Sequence, residues 1–301
     1  MKFSIIVVCL NPGQKLQNTM DSILKQTCRD FEVILKDGGS TDGSLELWRQ
    51  EAEAAGSVEP WRQSAEIDGV VELWGHSLES NGAKVRFFQE KDKGIYDAMN
   101  QAVAHTVGDF VLFMNCGDSF ADERVLERTA EHITAKSVVG TDMDKLVLYG
   151  DTLSEKNRVT IVSASRITGF TCYRNIPCHQ SCFYSAALCR EKSYDLQYRI
   201  RADYDHFLWC FYRAGAQFEH MSFPVASYEG GGYSESRENR SRDKLEHKQI
   251  TSTYMAKGEL LRYRAIMACT LAPLRREMAE SRAFSKVYHW LKERVYGRKK
   301  N

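Results

Sequence analysis

Nowhere in the 301 residues is there a run approaching the roughly eighteen apolar residues that a membrane span requires. Nor is there a CxxC pair among the nine cysteines. An odd number of scattered thiols, at positions such as Cys9, Cys28, Cys116 and Cys210, excludes a disulfide scaffold and points to a reducing compartment. Cys172, Cys178, Cys182 and Cys189 gather around His179 and carry both zinc-ligand types, but they lack the paired two-to-four-residue spacing of structural zinc sites. The amino terminus reads without a signal peptide, because Met1-Lys2-Phe3 runs straight into an apolar strand and an Asn-Pro-Gly turn. A one-sided charge is also missing: 41 Lys and Arg against 40 Asp and Glu leave a formal +1. That balance hides two regions, since residues 251–301 carry 12 basic and 4 acidic side chains and the first 250 residues carry 29 and 36. An acidic main body without a base-stacking motif argues against nucleic acid as a partner. The composition, 43% hydrophobic and 27% charged, is that of a folded globular chain.

What the sequence does contain is an alternation of strand and helix signals. Apolar runs at 3–10, 31–36, 84–89 and 110–114 predict strands, and periodic segments at 14–26, from about 42, and around Ile95, Met99, Ala102 and Val103 predict helices. Leu16, Met20, Ile23 and Leu24 fall on one helical face. This alternation predicts an α/β fold with a mostly parallel sheet flanked by helices. Residues 51–83, which include Trp61, Trp74 and the second of two Trp-Arg-Gln triplets (48–50 and 61–63), read as an insertion in the form of a helical extension. Further on, a strand is expected at Gln180–Tyr184, a helix from about Asp203 to Ala214, and a loop at 230–234. Beyond that loop the chain reads as helical and basic. Phe284, Val287, Tyr288, Leu291 and Val295 form an apolar stripe there, which fits a membrane-surface helix, packing on the protein's own body, or a dimer contact.

The most informative segment is Asp37-Gly38-Gly39-Ser40-Thr41-Asp42-Gly43, which puts a carboxylate at the end of a strand and just before a helix. Open α/β sheets bind ligands in the crevice outside the carboxyl ends of their strands. The glycines let the backbone approach a flat ligand or take positive φ, and Asp42 is explained as a helix cap. Asp37 is not needed as a cap.

Together, Ser4–Asn11, Ser22–Gln26 and Asp37–Ser44 resemble the N-terminal half of family 2 glycosyltransferases with the GT-A fold. Asp92–Asn100 and Phe113–Asp118 resemble the branch that builds bacterial exopolysaccharides, including colanic-acid-type transferases. The resemblance spans about residues 3 to 235. It implies a Rossmann-like GT-A domain with a nucleotide-sugar half at 1–120, an acceptor half at 121–235 and a basic helical extension at 236–301. It also implies a cytoplasmic, inverting, metal-dependent transferase that passes a sugar from a donor, UDP-linked by expectation, to a lipid-linked or saccharide acceptor. The basic tail would place it at the inner face of the membrane.

Residue by residue, the resemblance assigns Asn11, Asp37, Asp92 and Lys93 to the nucleotide and Asp203 to general-base catalysis. Asp118 would hold Mn2+ or Mg2+, since hard cations take one or two carboxylates plus phosphates and water. The family's common Asp-x-Asp is missing here: the strand ends Asn115-Cys116-Gly117-Asp118, which leaves one carboxylate. His179, Asp205, Arg237 and Arg240 are candidates for acceptor or phosphate contacts. Two other classes are consistent with parts of the pattern. A sugar nucleotidyltransferase shares a similar fold, but Asn11-Pro-Gly-Gln-Lys15 does not supply its basic phosphate loop. A nucleotide-sugar-binding protein with lapsed catalysis would account for the missing aspartate.

Overall fold

The computed structural model describes residues 2–54, 62–67, 70–76, 84–138, 140–155, 159–230 and 239–269. The chain divides into two compact units, Met1–Ile250 and Thr251–Asn301. The first unit opens with β1 (Phe3–Cys9), α1 (Lys15–Leu24), β2 (Phe31–Asp37), α2 (Ser44–Ala54), β3 (Arg62–Ile67), β4 (Val70–His76) and β5 (Lys84–Gln89). It continues with α3 (Ile95–Ala104), β6 (Phe110–Phe113), β7 (Ser119–Phe120), α4 (Val125–Val138), β8 (Leu146–Ser154), β9 (Val159–Ile161) and α5 (Gly169–Arg174). Then come β10 (Cys182–Ser185), α6 (Ala186–Glu191), α7 (Ala202–Tyr212), β11 (Gln217–Tyr228) and α8 (Arg240–Tyr254), whose last turn enters the second unit. In the second unit α9 (Lys257–Cys269) buries Leu260 and Tyr263, three residues apart on one face.

One sheet runs in the order β3-β4-β5-β2-β1-β6-β10-β8-β11-β7, with β9 paired to β8. β5, β2, β1 and β6 are parallel neighbours, and β8 and β11 form a second parallel pair. Every residue of β1 and β2 is buried, as expected of central parallel strands covered on both faces. α1 buries Leu16, Met20, Ile23 and Leu24, the four residues its periodicity singled out. The mostly parallel α/β sheet expected from the alternation is present.

The 51–83 segment departs from expectation. α2 runs to Ala54, but β3 and β4 then form an antiparallel hairpin whose second strand pairs with β5, extending the sheet edge rather than adding helices. Neither Arg62–Ile67 nor Val70–His76 carries a regular period-2 alternation, so the hairpin left no clear strand signal in the sequence.

The site end of the sheet is pinned by a buried cation. Lys36, on β2 and only 1% exposed, donates from Nζ to the Glu90 carbonyl (2.6 Å), the Asp37 carbonyl (3.2 Å) and the Asp92 carboxylate (3.0 Å). A buried ion pair of this kind contributes little net energy relative to an apolar pair, yet leaving one partner alone is costly. Lys36→Met should therefore lower unfolding stability by about 3–5 kcal/mol, because Asp92 loses its cation. Urea unfolding of the variant against the wild type checks this, and a loss below about 1 kcal/mol would contradict it.

Candidate active site

A cavity of about 840 Å3 opens at the carboxyl end of the parallel strands. It is lined from β1 by Cys9 and the following Asn11, from the turn after β6 by Asn115 and Asp118, and from α3 by Tyr96. His179, Arg199, Asp203 and Glu229 complete the wall from four later segments. Of the residues that the sequence singled out, Asn11, Asp118, His179 and Asp203 thus share one cavity. Asp37, Asp92, Lys93, Asp205 and Arg240 do not line it, and Arg237 lies outside the described residues.

Asp37 is fully buried, and its carboxylate is taken up by the turn it begins. It accepts from the Gly39 and Ser40 N–H groups (3.0 and 2.8 Å), the Ser40 hydroxyl (2.5 Å) and Gln89 Nε2 (3.0 Å). The turn also leans on Asn11, whose Oδ1 accepts from Thr41 N–H and whose own N–H donates to Ser40 Oγ, both at 2.8 Å. Asn11 holds a left-handed φ of 49°, which an Asn tolerates in a turn. Asp42 caps α2 as expected, accepting from the Ser44 N–H and hydroxyl. Gly38 is required by close approach, because a Cβ there would stand 2.6 Å from the Asp92 carboxylate. Asp92 in turn accepts from Gly94 N–H (3.0 Å) just before α3, while Lys93 is exposed and gives its backbone N–H to Asp97.

Asp203 stands in the first turn of α7 and faces the cavity. The Tyr96 hydroxyl lies 2.8 Å from Asp203 Oδ1 and 2.7 Å from the Ile200 carbonyl, and it donates between them. Burial and the Asp203 charge both push the Tyr96 hydroxyl well above its usual range, so it stays a donor. Asp205, two residues on, points the other way into an ion pair with Lys192. His179 is buried and stacks on Phe113 with centroids 5.0 Å apart. Its Nε2 lies 3.5 Å from the Tyr194 hydroxyl, and burial holds the ring below its ordinary pKa. It is a neutral wall residue.

Sequence reasoning missed Lys15, Arg199 and Glu229. Lys15, in the first turn of α1, pairs with Glu229 at 2.5 Å across the cavity mouth. Lys15 and Arg199 are the lysine and arginine of the cavity lining. Lys15 was legible only as the start of a predicted helix, and Glu229 follows an unremarkable strand, so their pairing across more than two hundred residues left no local signal.

Asp118 is 5% exposed; its two oxygens accept from Gln180 Nε2 (2.7 Å) and Glu229 N–H (3.1 Å). Burial, reinforced by the negative charges of Glu229 and Glu155, outweighs those two hydrogen bonds and pushes the carboxyl from 3.8 to about 6. The folded chain holds this proton more tightly than the unfolded chain does. The group's contribution to stability is therefore greatest below pH 3.8 and declines as the pH rises to about 6. Carbon-13 NMR of the aspartate carboxyls should show one resonance titrating near pH 6 that Asp118→Ala removes. An ordinary midpoint near 4 for that resonance would refute the desolvated site.

Among the described residues, no three His, Cys, Asp or Glu side chains form a ready-made metal cluster, and the cysteines around His179 are all free thiols.

The sequence profile described as Glycosyl transferase family 2 matches residues 4–65. A PGL/p-HBAD biosynthesis glycosyltransferase of Mycobacterium tuberculosis is 32% identical over 234 residues, which cover 77% of this chain and 78% of that protein. A second glycosyltransferase of the same species, described as uncharacterized, is 28% identical over 214 residues, 68% of this chain and 67% of its own. The fold is also that of S. aureus TarS 1-349 in complex with UDP, with a TM-score of 0.61 at 18% identity over 94% of this chain and 73% of that one. The mannosyltransferase PcManGT from Pyrobaculum calidifontis, in complex with GDP-Man and Mn2+, gives a TM-score of 0.58 at 14% identity over 99% and 88%. With a 32% identical relative matched over more than three quarters of both chains, this protein belongs to glycosyl transferase family 2.

Proposed function

We propose that this chain transfers a sugar from a nucleoside-diphosphate donor to an acceptor hydroxyl with inversion at the anomeric carbon. The observation that carries this reading is the one cavity in which Asp118 and Asp203 both stand, the first in the turn after β6 and the second at the start of a helix. In the step itself, the acceptor oxygen forms a bond to the anomeric carbon as the bond from that carbon to the diphosphate oxygen breaks. Asp203 takes the acceptor's hydroxyl proton, and the diphosphate leaves with the bonding electrons. Attack from the face opposite the leaving group inverts the centre. Tyr96 orients Asp203 by a hydrogen bond to its Oδ1.

The nucleoside is assigned to the Asn11 side of the cavity, with Asp37 and Asp92 building the turns behind it and Lys93 outside the wall. Lys15 and Arg199 offer positive charge to the diphosphate, and His179 lines the acceptor side. Divalent metal fits the residues present. Asp118 spends one hydrogen bond on each oxygen and keeps lone pairs free, and the buried Oδ1 of Asn115 on the same wall has no hydrogen-bond partner in the structure. These are hard oxygen donors suited to Mg2+ or Mn2+. When bound by Asp118 and the donor's phosphates, the ion supplies charge neutralisation for the leaving diphosphate.

For the acceptor we propose a lipid-linked sugar or growing saccharide of a bacterial surface polysaccharide. The motif resemblance supports the polysaccharide class, whereas the 32% identical relative carries a PGL/p-HBAD name. Four exposed apolar side chains on the cavity lining, Leu10, Ile95, Ile161 and Val162, support an acceptor with an apolar portion. Contact with the inner face of the membrane rests on the basic tail and its apolar stripe at 284–295, which lies outside the described residues. No helix among the described residues is long and apolar enough to cross a membrane.

Calorimetric titration with UDP and with GDP, each with and without Mn2+, tests the donor assignment. Tight, metal-dependent UDP binding that Asp118→Ala abolishes is expected, and binding of neither nucleotide would refute the reading. Asp203→Asn should retain that binding and lose about 10²–10⁴-fold in donor turnover, measured as nucleotide release.

A further inference from the structure

We propose that Glu246, on α8, is a positioning residue that sets the geometry of Asp203 through the Arg199–Arg201 segment. The inference rests on the reading of Asp203 as the base. Glu246 is 4% exposed and receives three successive backbone N–H groups on one carboxylate. Oε1 accepts from Arg199 (3.1 Å), and Oε2 accepts from Ile200 and Arg201 (both 3.0 Å). One helical turn earlier on the same face, Asp243 grips the Arg201 guanidinium with both oxygens, from Nε at 2.7 Å and Nη2 at 3.0 Å.

Those three residues lead directly into α7, and the peptides of Ile200 are held on both sides. Its N–H is fixed by Glu246, and its carbonyl is one of the two acceptors of the Tyr96 hydroxyl. The other acceptor is Asp203 itself. A displacement of the 199–201 segment therefore moves the carbonyl that anchors Tyr96 and loosens the hydrogen bond on Asp203. A buried carboxylate satisfied by three N–H dipoles is a stiff anchor, because each of those donors would be left unsatisfied in its absence. α8 thereby serves the cavity from outside it, since Glu246 does not line it.

The titratable and charged groups that face Asp203 are Tyr96 from α3, Cys178 and His179 before β10, Cys182 and Tyr184 on β10, Tyr194 after α6, and Arg201 on its own segment. This makes the direction of an Asp203 titration diagnostic. Removing the negative charge of Glu246 acts through space to lower the pKa of Asp203, whereas loss of the Tyr96 hydrogen bond raises it.

The experiment is carbon-13 NMR titration of Asp203, its resonance assigned by Asp203→Asn, in the wild type, Glu246→Gln, Tyr96→Phe and the double variant, alongside thermal melts and donor hydrolysis. Positioning predicts that Glu246→Gln raises the Asp203 pKa in the same direction as Tyr96→Phe, by about one unit. The double variant should then shift it no further than the larger single change. Hydrolysis should fall roughly 10- to 100-fold in Glu246→Gln while UDP binding stays within twofold of the wild type. A lowered or unmoved Asp203 pKa in Glu246→Gln, or additive shifts in the double variant, would overturn the proposal. Should Glu246→Gln not fold, Tyr96→Phe alone decides it, because an unmoved Asp203 there breaks the link. Retained hydrolysis in Asp203→Asn sinks the base assignment instead, a result distinct from a failure of Glu246.

Discussion

The buried ammonium of Lys36 is the interaction on which the rest of the site depends. A lysine in the interior carries a desolvation cost of several kcal/mol unless its donors are matched, and here three acceptors from two chain segments meet it. Because those acceptors include the Glu90 carbonyl and the Asp92 carboxylate, the cation fixes the connection between β5 and α3 against the end of β2. Asp92 then receives Gly94 N–H, and α3 begins at the next residue. Tyr96 is the second residue of that helix, so the place of its hydroxyl beside Asp203 follows from where the helix starts. A charge buried at the end of one strand thus determines the setting of a carboxylate more than a hundred residues away.

This chain of dependence explains what could be read from the sequence. Local periodicity is enough to place Leu16, Met20, Ile23 and Leu24 on a buried face, and continuous apolar runs are enough to mark β1 and β2 as central strands. Motif resemblance was also enough to single out Asn11, Asp118 and Asp203, which share one cavity. It was not enough to tell which carboxylates are free for a ligand. Asp37 ends β2 and Asp118 lies in the turn after β6, but the Gly39–Ser40 turn folds back onto Asp37 and occupies its lone pairs, whereas Asp118 receives one donor per oxygen. That difference depends on turn closure and on Gln89 from the neighbouring strand, neither of which has a signature in spacing. Glu246 was invisible for the same reason, since three N–H groups from a loop far upstream define its role. The 51–83 segment misled because aromatic residues suit helix and strand alike when their partners are unknown.

The turn that leads into Asp118 is constrained at Gly117. This residue takes a left-handed φ of 104°, and a Cβ there would lie 2.7 Å from the Glu229 carboxylate. The positive φ strains any L side chain at this position, so glycine suits the turn that leads into Asp118, whose Oδ1 accepts from the Glu229 N–H. One acidic side chain has gone from the strand-end motif, and another stands against the same turn from the far side of the sheet.

Charge in the cavity follows from this arrangement. Glu229 is turned toward Lys15 and neutralises it, and burial resists ionisation of Asp118 up to about pH 6. A diphosphate entering such a cavity adds negative charge where Asp118, Asp203 and Glu229 already stand against Lys15 and Arg199. On the proposed reading, the acids of that wall outnumber its fixed cations at neutral pH, so a nucleoside-diphosphate donor and a divalent cation would each supply the charge that makes the other favourable in a low-dielectric pocket. With one carboxylate in the turn after β6 to hold the ion, the donor's own oxygens would then be part of what selects the metal.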